Sequence, residues 1–555
     1  MQSIKLSITI RSNLVKKYPA PALARIDAAI AKWIKADKAR AVRTVHVALD
    51  DTIAMKPYKV AALKGAITAA KVKNTLDAIV ARLSPDYIVL FGSGDIVPHF
   101  SVPNPSHDED GDDDTVVPTD NPYACSAKFD RKKRRTYLVP DRVLGRISDV
   151  PGDANPVWFE RYLKQATVWK PRAASAYKKG FYVCTATWRK AGESCMAEFN
   201  LKKDDLLIAP PTSRKSAVVK ARERGLRHMI KCHGNDADST FYGENTNPRV
   251  ADPFPEALRS PDLQGRVKKG AVVGAMCCYG ANLFDPTTQA TVHADEPPIC
   301  SQYLKLGAYG FMGSSTIAWV GFDEMMCADW IVTGFLKSAT GGASLGRAAL
   351  EAKQDFLRWI QQQGNTPDVA DEKTLIQFML LGDPSIHPVV DAAAPAGPTP
   401  VGSAAADRIA AMAAASLPRQ LRRLARHQLG TILRRDLPTR KTSKAAPPKQ
   451  AVAAARALMA SVPDGTKVVK RARWTETIIH PAPEGVPSTT PTPMASALRR
   501  PTGRSATATH VAADKSYQYY WMARHSGNSV SRISLVTVEA DVAGRIIQQR
   551  VVVSS

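Results

Sequence analysis

The chain has 555 residues, 44% of them hydrophobic, with 76 Lys/Arg against 51 Asp/Glu for a formal net charge of +25. That length exceeds one ordinary domain and implies roughly two to four, and no run of about 18 apolar residues offers a membrane-spanning helix. Eight cysteines without CxxC spacing are too few for a disulfide scaffold and imply reduced thiols. Residues 1–10 alternate polar and apolar, a strand pattern rather than the charged-then-apolar layout of a secretory signal, so a cytoplasmic protein is expected.

Residues 1–150 alternate strand and helix signals and form a first α/β subdomain. Lys5–Ile10 and Thr44–Leu49 read as strands, and Pro21–Asp37 and Val60–Leu83 as helices. Tyr87–Gly92 is a continuous apolar run ending in Gly, the pattern of a central parallel strand. Ser101–Asp120 reads as a polar loop. It carries the acidic run Asp108–Asp114, which offers oxygen ligands for Ca²⁺ but lacks EF-hand spacing, so a solvated loop is the plainer reading.

Residues 175–390 repeat the alternation and form a second α/β subdomain. Strands are predicted at Gly180–Thr187, Asp205–Ala209 and Ala308–Ser314. Helices are predicted at Glu193–Lys203, Ser216–Arg224, Ser301–Leu306, Asp323–Ser338 and Ser344–Gln363. Strands alternating with helices imply a mostly parallel sheet covered on both faces. Residues 391–466 form a basic stretch rich in Ala, Pro and Arg, with helices at Ala404–Leu417, Arg419–Arg435 and Ala451–Ala460 and a mobile Pro438–Gln450 between them. Residues 467–555 turn to β, with strands at Ser516–Ala523, Ser531–Glu539 and Arg545–Val553. The last two form a hairpin at Ala543-Gly544. Residues 401–510 hold 19 Lys/Arg against 5 Asp/Glu. Such a stretch attracts nucleic acid or an acidic partner, although a solvated Arg-rich tail explains it equally simply.

Two short motifs in the second subdomain carry the chemistry. Lys231-Cys232-His233-Gly234 follows the apolar run Leu226–Ile230, and Met276-Cys277-Cys278-Tyr279-Gly280 follows Ala271–Ala275. Open α/β sheets place their sites at the carboxyl ends of the strands. A His and a Cys on neighbouring strand ends there form a nucleophilic pair for acyl transfer. His233 would take the thiol proton and return it to the leaving amine. The N–H groups of Gly234 and of the nucleophile Cys277 would form the oxyanion hole. Side chains alternate along a strand, so only one of Cys277 and Cys278 can face His233. The same alternation argues against a zinc site, because adjacent residues cannot both chelate one ion from extended backbone. No metal site or obligatory cofactor is expected.

Several stretches, taken together, resemble the gingipain-type cysteine peptidases, relatives of caspases and legumains. They are Tyr87–Pro98, Asp120–Ala124 with Pro140–Arg146, Cys232–Gly234, Cys277–Gly280 (C-x-x-G), Gly307–Ile317 and Leu381–Ser385 (LGDPS). The resemblance covers about residues 1–390. It implies a caspase-like second subdomain, a bacterial cysteine endopeptidase acting on protein or peptide substrates, and Cys277 rather than Cys278 as nucleophile. Gly307–Ile317 matches the strand that lines the family's first specificity pocket, which places Ser315 on it and Trp319 just after it, either as a wall for an apolar substrate side chain or as plain core packing. Cys195 stands where arginine-specific members carry Asp, with Glu193 close by. Family members bind calcium. The alternative is a catalytically silent caspase-like scaffold that binds protein or nucleic acid through the basic tail. The same pair of residues would equally serve transfer to an acceptor other than water.

Asp236, Asp238 and Glu244 follow the His and are candidates to orient the imidazole or to recognise a basic substrate, although ordinary loop polarity is the plainer reading. Asp141 and Arg146 are expected in structural hydrogen bonds.

Overall fold

A computed structural model gives the fold. It describes residues 2–247, 249–288, 296–390, 419–462, 472–479, 515–526 and 531–555; the helix expected at Ala404–Leu417 lies outside them.

Ten strands form one sheet. Their spatial order is Val42–Ala48, Ser3–Thr9, Tyr87–Phe91, Leu144–Ile147, Met379–Gly382, Gly310–Gly313, Val272–Ala275, Arg227–Lys231, Gly180–Thr185 and Leu207–Ala209. Every neighbouring pair is parallel except Gly310–Gly313 with Met379–Gly382, which run antiparallel from Gly310↔Gly382 to Gly313↔Met379. The interior strands are buried on both faces: Ile88–Phe91 and Val272–Ala275 are at most 2% exposed. Such strands need apolar residues at consecutive positions, which is why they read as unbroken runs.

The two expected subdomains therefore share a sheet. Met379–Gly382 ends the second in sequence but pairs with Leu144–Ile147 of the first, at Leu381↔Arg146. Glycine permits that approach, since a Cβ on Gly145 would lie 2.6 Å from the Gly382 carbonyl oxygen. Lys5 Nζ on the first subdomain donates to Asp383 Oδ2 at 2.6 Å, and Trp33 Nε1 to the same oxygen at 2.9 Å. The Gly-Asp-Pro-Ser segment is thus a structural tie.

Three expectations need correction. The helix predicted from Val60 begins at Ala69, where Thr68 Oγ1 accepts from the Lys71 N–H; Gly65, at φ +65°, keeps the preceding residues from continuing it. Ser101–Asp120 is not a plain loop, because Phe100–Pro103 and Val116–Thr119 pair as a hairpin that presents the acidic run. Within Pro438–Gln450, Thr439–Ser443 is a strand.

That strand is the edge of a second, antiparallel sheet. Its order is Trp319–Val320, Ile546–Ser554, Ser531–Asp541, Lys515–Ser526, Trp474–Ile479 and Thr439–Ser443. The hairpin at Ala543-Gly544 forms as expected, with Gly544 at φ +82°. The C-terminal strands thus extend from a two-residue strand of the α/β body. The described part of the basic stretch is drawn onto the same body. Arg434 pairs with buried Asp141, Arg426 Nη1 with Asp355 at 3.1 Å, and Arg440 with Glu372 and Glu476 at 2.8 and 3.0 Å. These cations are spent on carboxylates of the protein itself. No helix among the described residues is long and apolar enough to cross a membrane.

Candidate active site

The strands carrying the two motifs are neighbours. Arg227–Lys231 and Val272–Ala275 pair in parallel from Arg227↔Val272 to Ile230↔Ala275, and the Met276 N–H continues the ladder to the Ile230 carbonyl at 2.7 Å. Both chains leave the sheet at its carboxyl edge. His233 forms a two-bond bridge with Tyr242. Cys277–Gly280 is a tight turn: the Gly280 N–H donates to the Cys277 carbonyl at 3.1 Å, and Tyr279 adopts φ +54°. Ser314 Oγ donates to the same carbonyl at 2.6 Å, fixing the turn to the segment that follows the strand Gly310–Gly313.

The motifs touch at Gly234. A Cβ there would stand 1.9 Å from the Cys278 carbonyl oxygen and 3.5 Å from the Cys277 Cβ, so only glycine lets the His segment lie against the Cys turn.

His233 is fully buried between the rings of Trp188 and Phe254, at centroid distances of 4.4 and 5.2 Å. Its Nε2 lies 3.1 Å from Glu244 Oε2, while its Nδ1 is buried without a hydrogen-bond partner. A carboxylate can only accept, so Nε2 carries the proton of this hydrogen bond. Burial pushes the Glu244 carboxyl up, but the hydrogen bond from His233 and the facing His233 and Arg532 side chains outweigh it and hold the group below its ordinary value. Glu244 is the member of the trio after the His that reaches the imidazole. Asp238 accepts from Tyr242 Oη at 2.8 Å, and Asp236 from Asn282 Nδ2 at 2.9 Å.

The two cysteines have different surroundings. Both lie past the strand's end, in the turn, so strand alternation does not govern them. Cys277 is fully buried with its thiol 3.6 Å from the Ile230 carbonyl, and burial raises its pKa well above the ordinary value. Cys278 is 5% exposed. Its sulfur accepts from the Ala318 N–H at 3.2 Å, and burial, against that backbone contact, pushes its thiol up to about 12. Both thiols are therefore protonated at neutral pH in this arrangement. The hydrogen bonds of His233 and Cys277 run to Glu244 and Ile230, not to each other.

The expected pocket residues are placed as follows. Ser315 Oγ donates to the Pro118 carbonyl at 2.6 Å. Trp319 is packed in the core, the plainer of its two readings. It is fully buried, its Nε1 donates to Ser106 Oγ at 3.2 Å, and its backbone pairs with Ser554. Cys195 is buried as well: the helix Arg189–Glu198 turns it into the core, while Glu193 faces outward and pairs with Arg189 at 2.8 Å.

The acidic run is tied down. Asp112 and Lys373 form a fully buried ion pair at 2.6 Å. Asp114 accepts from Tyr279 Oη and the Ile317 N–H at 2.9 and 3.0 Å. Asp110 and Asp113 pair with Arg473 and Arg524 of the C-terminal sheet. Among the described residues no cluster of three or more His, Cys, Asp or Glu side chains is grouped to hold a metal ion.

Sequence reasoning missed Arg532, Ser555 and Trp188. Arg532 Nη1 donates to Glu244 Oε1 at 2.6 Å, and the Cys278 N–H donates to the Ser555 carbonyl at 2.6 Å. These partners lie 288 and 277 positions apart, beyond the reach of any local pattern.

Residues 242–389 match the model of Peptidase family C25, an interval that contains both Cys277 and Cys278 and begins after His233. The match implies cysteine peptidase chemistry on protein or peptide substrates. No curated protein matches the chain. A solved structure described as "Structure of Protease" aligns with 100% of this chain and 91% of that one, at 12% identity and a TM-score of 0.44.

Proposed function

We propose that this chain, similar to Peptidase family C25 over residues 242–389, is a cysteine endopeptidase with His233 as general base and acid and Cys277 as nucleophile. The observation that carries the reading is the clamp on His233. Glu244 holds Nε2, Nδ1 is left buried and unpartnered, and the next residue, Gly234, packs against the turn that bears the cysteines.

Nδ1 takes the Cys277 thiol proton, giving an imidazolium that Glu244 stabilises and a thiolate that attacks the scissile carbonyl. The resulting oxyanion is received by backbone N–H groups at Gly234 and Cys277. The imidazolium then returns its proton to the departing amine, and the thioester is hydrolysed by water that His233 deprotonates. Engagement requires the Cys277 thiol to turn from the Ile230 carbonyl toward the imidazole.

The test is labelling by a panel of peptidyl acyloxymethyl ketones with varied P1 residues, on the wild type and on Cys277→Ala, Cys278→Ala and His233→Ala. Labelling lost in Cys277→Ala and His233→Ala and kept in Cys278→Ala supports the assignment. Loss only in Cys278→Ala moves the nucleophile by one residue.

A further inference from the structure

The turn that bears the candidate nucleophile is covered by the protein's own chain. The strand Ile546–Ser554 lies antiparallel on Trp319–Val320, with Trp319↔Ser554 and Val320↔Val553. Ser555 continues it: its N–H donates to the Ala318 carbonyl at 3.0 Å, and its own carbonyl accepts from the Cys278 N–H at 2.6 Å. Ser554 and Ser555 are each 1% exposed. An extended segment added to a short edge strand, with a carbonyl at the N–H of the cysteine turn, is how main-chain recognition seats a peptide.

A second contact reaches the other half of the site. Arg532, on the neighbouring strand of the same sheet, pairs with Glu244 through a bridge whose side chains are 4% and 8% exposed. Glu244 divides its two oxygens between His233 and Arg532. The C-terminal sheet thus covers the cysteines with one strand and engages the histidine's carboxylate with the next. Further anchors hold it down: Arg550 on Asp368 and Asp371, and Met522 Sδ accepting from the Asp112 N–H at 3.2 Å.

We infer that the C-terminal antiparallel sheet is a latch: its segment Val552–Ser555 fills the peptide groove and holds the enzyme latent until it is displaced. The inference rests on the peptidase reading for what the groove would otherwise receive. With the latch closed, His233 and Cys277 are fully buried, Cys278 is 5% exposed, and a substrate carbonyl has no route to the turn. Apparent substrate affinity falls by the fraction of molecules that are open, so a latch closed in 99 of 100 molecules weakens it about 100-fold.

The experiment uses the full chain, wild type, Val553→Asp and Arg532→Ala. Val553 is fully buried in the strand against Val320, and aspartate there opposes docking. Iodoacetamide alkylation is followed by mass spectrometry at the Cys277–Cys278 peptide, which needs no turnover. The six other cysteines, all buried, report global unfolding in the same sample.

The expected result is alkylation at Cys277–Cys278 at least tenfold faster in both variants, with the other six unchanged, and peptide hydrolysis rising in parallel. Faster alkylation without hydrolysis supports the latch and overturns the peptidase reading instead. Wild-type rates at Cys277–Cys278 in both folded variants overturn the latch. If Val553→Asp exposes all eight cysteines, Arg532→Ala, which removes only the anchor on Glu244, decides alone: the wild-type rate there overturns the inference.

Discussion

Glu244 stands between His233 and Arg532, giving Oε2 to the imidazole at 3.1 Å and Oε1 to the guanidinium at 2.6 Å. One buried carboxylate therefore sets the tautomer of the histidine and anchors the C-terminal sheet. A group that orients an imidazole acts on the rate through it, whereas a group in a buried ion pair acts on stability. Glu244 makes both contacts, and under the proposed mechanism the two effects are separable.

Glu244→Gln keeps a hydrogen-bonding side chain but loses the charge that stabilises an imidazolium. We expect kcat/KM for a peptide substrate to fall roughly 10- to 100-fold with KM little changed, since general base catalysis contributes about 10²–10⁴. Steady-state kinetics on protein whose latch has been released by Val553→Asp reads this directly. An unchanged kcat would remove Glu244 from the mechanism.

The same carboxylate makes stability depend on pH. Its folded-state pKa lies below the ordinary 4.5, so its contribution is complete above that value and is lost as pH falls through the folded-state pKa. Between about pH 6 and about pH 3 the wild type should lose more stability toward urea than Glu244→Gln, which has no such group to protonate. Parallel losses in the two proteins would show that Glu244 is not held anionic by its partners.

Gly234 admits no side chain. The Cβ of Gly234→Ala would fall 1.9 Å from the Cys278 carbonyl oxygen, a backbone atom fixed in a turn. Overpacking of this kind costs about 1–3 kcal/mol, so the urea midpoint should drop. The Cys turn should shift enough to abolish labelling by peptidyl electrophiles. Normal labelling in Gly234→Ala would show that the two motifs need not touch.

Lys373 and Asp112 are fully buried partners. Lys373→Met strands the carboxylate, and breaking one side of a buried pair costs about 3–5 kcal/mol. The double change Lys373→Met with Asp112→Leu should recover most of that loss. Thermal unfolding of the two singles and the double measures the coupling, and additive effects would contradict it.

Calcium should act weakly at Asp108–Asp114. Asp110, Asp112, Asp113 and Asp114 already face Arg473, Lys373, Arg524, Tyr279 and the Ile317 N–H. Millimolar Ca²⁺ followed by a chelator should leave the melting midpoint unmoved. A rise of several degrees would mean that the loop exchanges these partners for the ion.

The elements that were legible have local causes. Tyr87–Phe91 and Gly180–Thr185 read as strands because burial on both faces demands consecutive apolar residues, and Arg419–Arg435 read as a helix from its spacing. Leu144–Ile147 and Met379–Gly382 are only four residues each, too short for a periodic signal, and they are the strands that join the two halves. Chain position put Cys195 at the pocket, and Trp319 either there or in the core. Helix phase and strand pairing, which only packing fixes, turned them inward.

The chemistry on offer is written in the chain: a His-Gly and a Cys-x-x-Gly, each after an apolar run, with glycines where backbone must approach backbone. These are properties of a few consecutive residues. Only the tertiary structure decided that Glu244 clamps the imidazole, that Arg532 shares it, and that Ser555 meets the Cys278 N–H. The last two contacts join residues more than 270 positions apart, and the Ser555 contact is made by main-chain groups that every residue carries. No side-chain pattern encodes it, and it exists only once both sheets have formed.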